Sequence, residues 1–352
     1  MNDLDVQLQH RFPTGFTLDA SFTGRGGVSA LFGPSGSGKT TILGCISGLL
    51  APAAGKVVVR GRTLFDHTAG VNVPARDRRI GYVFQDHLLF PHLTVAGNLR
   101  FAAAPRSAVS FDAVVDVLEL APLLELAPDQ ISGGQRQRVA LGRALLSGPD
   151  LLLMDEPLAS LDAALKERIL DYLAAVTTEF RIPALFVSHS QAEVRRLAQW
   201  VVMLDAGRVR AEGPPDAVLN QPAALELHDG LGPVNLLRLD RIEQRDGGAI
   251  GWSSGLEIHL PGDPKLDRAP LFVEFAPREV MLATADLAGV SARNHFRGVV
   301  AKIAAFADRV FVAVDAGPLL WAEVTASAVS ELQLAPGRPV VCLVKTQSLR
   351  IV

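Results

Sequence analysis

A chain of 352 residues, 49% hydrophobic and 20% charged, is too long for one domain at roughly 150 residues each and too apolar for disorder. Its net charge of −3, with no long Lys or Arg run, excludes a nucleic-acid stripe and a polybasic membrane patch, so no nucleic-acid partner is expected. No stretch approaches the ~20 apolar residues of a membrane span, acidic Asp3 and Asp5 stand where an apolar leader would, and Cys45 and Cys342 are unpatterned, so the expectation is a soluble cytoplasmic chain that serves a membrane only by docking on a separate subunit.

In chain order, Phe16, Leu18, Ala20 and Phe22 alternate as the inward face of one strand. Val28 to Phe32 is a short apolar run, and Leu151 to Met154, Ala184 to Val187 and Val201 to Leu204 repeat it between helical stretches. Such runs predict parallel strands buried on both faces. After the first, Ile42, Leu43, Ile46, Leu49 and Leu50 recur at helical spacing, and Pro52 with Gly55 marks the exit. Residues 86–146 are expected to form an inserted helical subdomain, with Phe111, Val114, Val115 and Leu118 on one helix face. From about residue 231 the helical period fades. Short β-type runs follow between glycine and proline turns: Leu271 to Phe275, Val310 to Val314, Leu319 to Val324 and Val340 to Val344. A boundary near Gly230 to Pro233 divides the chain into an α/β domain, residues 1–230, and a small β-rich domain, residues 231–352.

Between the first strand and its helix stands Gly33-Pro34-Ser35-Gly36-Ser37-Gly38-Lys39-Thr40, the G-x-x-x-x-G-K-[ST] phosphate loop in its required setting, with Thr41 following. Glycines let backbone amides close round phosphates, the helix N-terminus adds its dipole, Lys39 reaches the outer phosphates, and the Thr40 hydroxyl can ligate Mg²⁺. Leu151 to Met154 ends in Asp155-Glu156, at the carboxyl end of a strand where α/β sheets bind ligands. Nucleotide hydrolysis needs one acceptor for the metal, Asp155, and one for the proton of the attacking water, Glu156.

Ile131-Ser132-Gly133-Gly134-Gln135 precedes the helical run Arg136 to Leu146. A Ser hydroxyl and two glycine amides at a helix start make a second anion site, although Ser132 also suits an ordinary helix cap. This motif resembles the ABC signature, usually Leu-Ser-Gly-Gly-Gln, with Ile131 a conservative departure. Residues 1–230 as a whole resemble the ATP-binding subunits of ABC transporters. The resemblance implies an α/β P-loop NTPase with a helical subdomain, using ATP and Mg²⁺, in a homodimer that sandwiches two nucleotides head to tail between phosphate loops and signatures. It implies that Gln85, in Gly81-Tyr82-Val83-Phe84-Gln85, touches metal and water, that Asp162, in Ser160-Leu161-Asp162, crosses the dimer interface, and that His189 contacts the γ-phosphate. Read alone, these are a loop amide, a helix start and a strand-end histidine. An aromatic should stack on adenine, and Phe12 and Phe16 are both candidates. Phe12 is preferred because Phe16 continues the strand alternation, which could equally leave Phe12 as core.

The β-rich domain points, within the same resemblance, to importer subunits carrying an OB-like TOBE domain. Ser291-Ala292-Arg293-Asn294 with the strand Gly298 to Ile303 resembles its molybdate-binding Mop form over residues 290–352, and Val324-Thr325, Leu332, Gly337 and Val344-Lys345 follow in order. Ser291, Arg293, Thr325 and Lys345 could supply hydroxyls and cations to an oxyanion. One departure is Ala328, where the binding form often has a second hydroxyl. Without a ligand, the domain would only dimerise or brace. The implied function is the ATPase of a molybdate or tungstate importer, peripheral on the cytoplasmic face of the inner membrane, with two copies of a permease and an extracytoplasmic binding protein. Import of sulfate, ferric iron or a sugar uses the same engine, and a soluble ABC protein acting on nucleic acid is the more distant alternative.

Overall fold

Eleven strands form the sheet that carries the first unit, in the order β6-β5-β4-β1-β2-β11-β10-β3-β9-β8-β7. In chain order these are β1 (Asn2–Arg11), β2 (Thr17–Arg25), β3 (Val28–Phe32), α1 (Lys39–Ser47), β4 (Ala54–Val59), β5 (Arg62–Asp66), β6 (Val71–Asn72), β7 (Ile80–Val83), α2 (Val95–Ala102), α3 (Phe111–Val117), α4 (Gly133–Leu146), β8 (Leu151–Asp155), α5 (Ala163–Glu179), β9 (Ala184–Val187), α6 (Gln191–Leu197), β10 (Trp200–Asp205), β11 (Arg208–Gly213) and α7 (Pro215–Leu219). The computed structural model describes residues 2–25, 27–105, 107, 109–158, 163–179, 182–188, 190–219, 233–245, 248–262, 271–306 and 309–351. Two compact units divide the chain, residues 1–227 and 228–352. Residues 230–232 of the expected boundary lie outside the described residues.

The apolar runs become the parallel strands β10-β3-β9-β8 with β7 at the edge, and β3, β8 and β9 are buried at every position. Their two-residue period divides them between two cores. Val28, Ala30, Leu152 and Met154 pack with α2 to α6 on one face, whereas Leu31, Leu151 and Leu153 pack with α1 and the antiparallel strands on the other. Helices α2, α3 and α4 occupy the stretch where helical periodicity predicts them.

Helix α1 corrects one expectation, since it stops at Ser47 and leaves Leu49 and Leu50 beyond it. Gly48 takes a left-handed φ of 82° and donates its N–H to the Cys45 carbonyl. A Cβ there would lie 2.5 Å from Nε of Arg78, whose guanidinium donates to the Cys45 and Ile46 carbonyls at 2.9 and 2.8 Å.

The second unit packs three sheets round one core. They are β12-β16-β22, β13-β14-β15 and β17-β21-β18-β19-β20, built from β12 (Asn235–Arg238), β13 (Arg241–Arg245), β14 (Gly248–Ser253), β15 (Leu256–Leu260), β16 (Phe272–Phe275), β17 (Val280–Ala283), β18 (Asn294–Phe306), β19 (Arg309–Asp315), β20 (Leu319–Val324), β21 (Pro339–Val344) and β22 (Arg350–Ile351), with the short helix α8 (Ala326–Glu331). Buried Asn294 ties β18 to β15 by accepting from the His259 N–H and donating to its carbonyl.

Candidate functional site

Register brings the strand ends to one edge. Phe32 pairs with Met203, Leu31 and Asp155 with Val187, and Val83 with Met154, so β3, β9, β8 and β7 all end where a parallel sheet binds ligands. The phosphate loop rises from β3 into this edge. It runs so close to β10 that a Cβ on Gly33 would lie 2.0 Å from the Leu204 carbonyl oxygen. Gly38 begins α1 with a φ of 103° and lies under the Phe16 ring. Lys39 is buried, and its ammonium donates to the Gly33 and Pro34 carbonyls at 2.8 and 2.7 Å. The Ser37 hydroxyl is buried without a hydrogen-bond partner among the described residues.

A cleft of about 420 Å³ opens here, and it brings together Phe12, Ser35, Gly36, Gly38, Lys39, Thr40, Thr41, Gln85, Asp155 and Glu156 from the sequence expectations. Thr14 and Val187 also line it, without having stood out in the sequence. Phe16 lines it too, while packing against the same core as Leu18, Ala20 and Phe22, as the alternation expects. The centroids of the two rings stand 6.0 Å apart.

Asp155 is buried, and burial raises its carboxyl above the usual range, with the charge of Glu156 adding to this; the Thr40 hydroxyl and the Lys39 charge oppose it. A hydroxyl, a desolvated carboxylate and the Gln85 amide on one cleft form a hard oxygen donor set that fits Mg²⁺. Glu156 has a left-handed φ of 48°. Its N–H donates to the Val187 carbonyl at 3.1 Å, and its own carbonyl accepts from Gln137 Nε2 at 3.0 Å. Gln137 passed unnoticed in the sequence, where the available signal was a polar residue on the buried face of α4.

The signature lies elsewhere. Helix α4 begins at Gly133, three residues before the expected run. Ser132 and Gln135 form a reciprocal cap: Ser132 Oγ accepts from the Gln135 N–H at 3.3 Å and Gln135 Oε1 from the Ser132 N–H at 2.7 Å. Ile131 is buried beneath, Ser132 is exposed, and none of residues 132–135 lines the cleft. Past Gln85 the chain is held by α2 and α4: Asn98, fully buried, accepts from the Phe90 N–H and donates to the Phe90, Leu93 and Thr94 carbonyls, while Arg143 donates to the His87 carbonyl. Asp162 and His189 lie outside the described residues. Beside the latter, the Ser188 hydroxyl and the Lys166 ammonium both donate to Glu193.

In the second unit Ser291, Arg293, Thr325 and Lys345 are all exposed. Asn294 pairs with Val344, so Arg293 and Lys345 stand at one end of β18. Thr325 follows Val324, which pairs with Val310 and through it with Ala305, eleven residues further along a β18 that bulges between Val300 and Lys302. Thr325 caps α8, its hydroxyl accepting from the Ala328 N–H.

Two family models match, the ABC transporter model over residues 19–159 and the TOBE domain model over residues 290–351. The chain is 43% identical over 340 residues to the molybdenum import ATP-binding protein ModC of Rhizobium etli, covering 95% of this chain and 96% of the relative. It is 44% identical over 352 residues to that of Mesorhizobium japonicum, covering 97% and 95%. A solved dimeric ATP-binding cassette in a post-hydrolysis state, bound to ADP and phosphate, is 28% identical with a TM-score of 0.52, covering 60% of this chain and 98% of its own. A bacterial Atm1-family ABC exporter with ATP bound shares the fold at 24% identity and a TM-score of 0.54, covering 62% of this chain and 40% of its own.

Proposed function

This chain belongs to the family of molybdenum import ATP-binding proteins, the ATPase subunits of ABC importers, and from that premise we propose that it hydrolyses ATP in the phosphate-loop cleft to drive molybdate uptake. The observation that carries the substrate is identity of 43% and 44% across both units, including the β domain. The same observation favours molybdate over sulfate, ferric iron or a sugar.

In this assignment the loop amides and Lys39 take the β- and γ-phosphates, and Phe12 or Phe16 stacks on adenine. Glu156 accepts the proton of the water whose oxygen attacks the γ-phosphorus, and the bond to ADP breaks as phosphate forms. Thr40 and Asp155, with Gln85 nearby, would hold Mg²⁺, which would supply charge neutralisation on the phosphate oxygens. The exposed signature, absent from its own cleft, serves the nucleotide of a second copy. Two copies would dock on two permease subunits at the cytoplasmic face of the inner membrane, fed by an extracytoplasmic binding protein. No helix among the described residues is long and apolar enough to cross a membrane. Because the Thr325 hydroxyl is engaged in capping α8, an oxyanion site beside Arg293 and Lys345 would draw its further hydroxyl from a second copy.

Vesicles carrying the chain with its permease and binding protein test both levels. ATP should drive accumulation of molybdate and not sulfate, and Lys39→Ala should abolish it; equal sulfate transport would overturn the substrate. Molybdate on the ATPase side should slow transport, and Arg293→Ala should relieve this. Inhibition unchanged by that substitution would sink the shared site.

A further inference from the structure

Glu156 is a bulky residue in the left-handed region, at a φ of 48°. Such a conformation is strained and persists only where the surroundings over-determine it. Pro157 follows, which disfavours the right-handed helical well for Glu156 and leaves extended backbone as the competing state. Moving between these wells swings Cβ, and the carboxylate with it, to a different direction.

Two hydrogen bonds hold the backbone against that swing. The Glu156 N–H is fixed to Val187 of β9, and the Glu156 carbonyl is fixed by Gln137 Nε2. Gln137 is 2% exposed, so water does not readily replace its amide. The first bond belongs to the sheet. The second comes from α4, the helix that Ser132 and Gln135 cap, one turn before Gln137.

We propose that Gln137 is a positioning residue for hydrolysis: its amide clamps the Glu156 carbonyl, keeps the carboxylate aimed into the cleft, and ties that aim to the helix bearing the signature. This rests on Glu156 being the hydrolytic base. Seating the signature on a second copy's nucleotide then bears on the base in its own cleft through one side chain, without a contact between the two nucleotides.

The test is steady-state ATPase kinetics on the full chain carrying Gln137→Met, which keeps the volume and removes the donor, and Gln137→Asn, which keeps the amide one methylene short. Each should lower kcat by about 10- to 100-fold, with KM and nucleotide Kd within about twofold, as expected for a misaimed catalytic group. In a Glu156→Gln background, Gln137→Met should lower the residual rate no further, because the clamp acts through the carboxylate. The Asn variant decides the matter if the Met variant does not fold. Native kcat in either folded variant, or a loss fully additive with Glu156→Gln, would overturn the proposal. Native turnover in Glu156→Gln alone would instead remove the base assignment itself.

Discussion

At the residue scale, Asp155 shows how the site trades stability for chemistry. Its buried carboxyl is raised above the usual range by desolvation. A carboxyl raised in the folded state contributes stability at low pH that is lost as pH rises through the folded value, so at neutral pH the ionised form is a liability in the nucleotide-free protein. Asp155→Asn should therefore raise the first thermal transition at neutral pH by about 2–4 °C, equivalent to about 1 kcal/mol, while abolishing hydrolysis. Thermal scans at neutral and acid pH check this, and the gain should shrink toward acid. A lower midpoint at neutral pH would refute the charge account. The convergence of a fixed motif's residues, such as Lys39, Thr40 and Asp155, on one cleft was legible in the sequence because the chemistry demands those groups at that spacing. Gln137 was not, because its partner is a backbone carbonyl that no side-chain pattern encodes. Phe16 packs with Leu18, Ala20 and Phe22 as its alternation expects, and that it also faces the cleft was not legible, because an alternating pattern says nothing of what lies beyond the strand end.

At the element scale, α1 presents its N-terminus to the phosphate loop, and its C-terminus is held by Arg78. That guanidinium is 1% exposed and donates to the Cys45, Ile46 and Val73 carbonyls and to Asn72 Oδ1. A cation here complements the negative end of the helix dipole as well as satisfying two last-turn carbonyls. Arg78→Met should destabilise the first unit by about 2–4 kcal/mol through orphaned buried acceptors, and Arg78→Lys should not restore it, since one ammonium cannot fork to four acceptors. Urea unfolding measures both; full recovery with lysine would contradict the fork. The parallel strands β3, β8 and β9 were legible because burial on both faces makes them uniformly apolar. The end of α1 was not, because Leu50 remains apolar for packing after the helix has stopped, and only Gly48 signals the break.

At the scale of the whole molecule, the cleft of one chain is incomplete. It contains no signature residue, and in the β domain Arg293 and Lys345 stand at one end of β18 while Thr325 follows β20. The change from helical period to short β runs was visible in the sequence, whereas the placing of Arg293 and Lys345 beside each other and of Thr325 after β20 depends on register across four strands. Linear order cannot convey that. A second copy resolves the cleft if its Ser132–Gln135 cap, exposed at Ser132, meets the bound γ-phosphate. The measurement that bears on this most directly is gel filtration of Glu156→Gln with light scattering and nucleotide analysis. With ATP the variant should elute as a dimer retaining one ATP per chain, and adding Ser132→Arg should leave monomers that retain none. A Glu156→Gln chain that stays monomeric in saturating ATP, or a dimer indifferent to Ser132→Arg, would contradict the account.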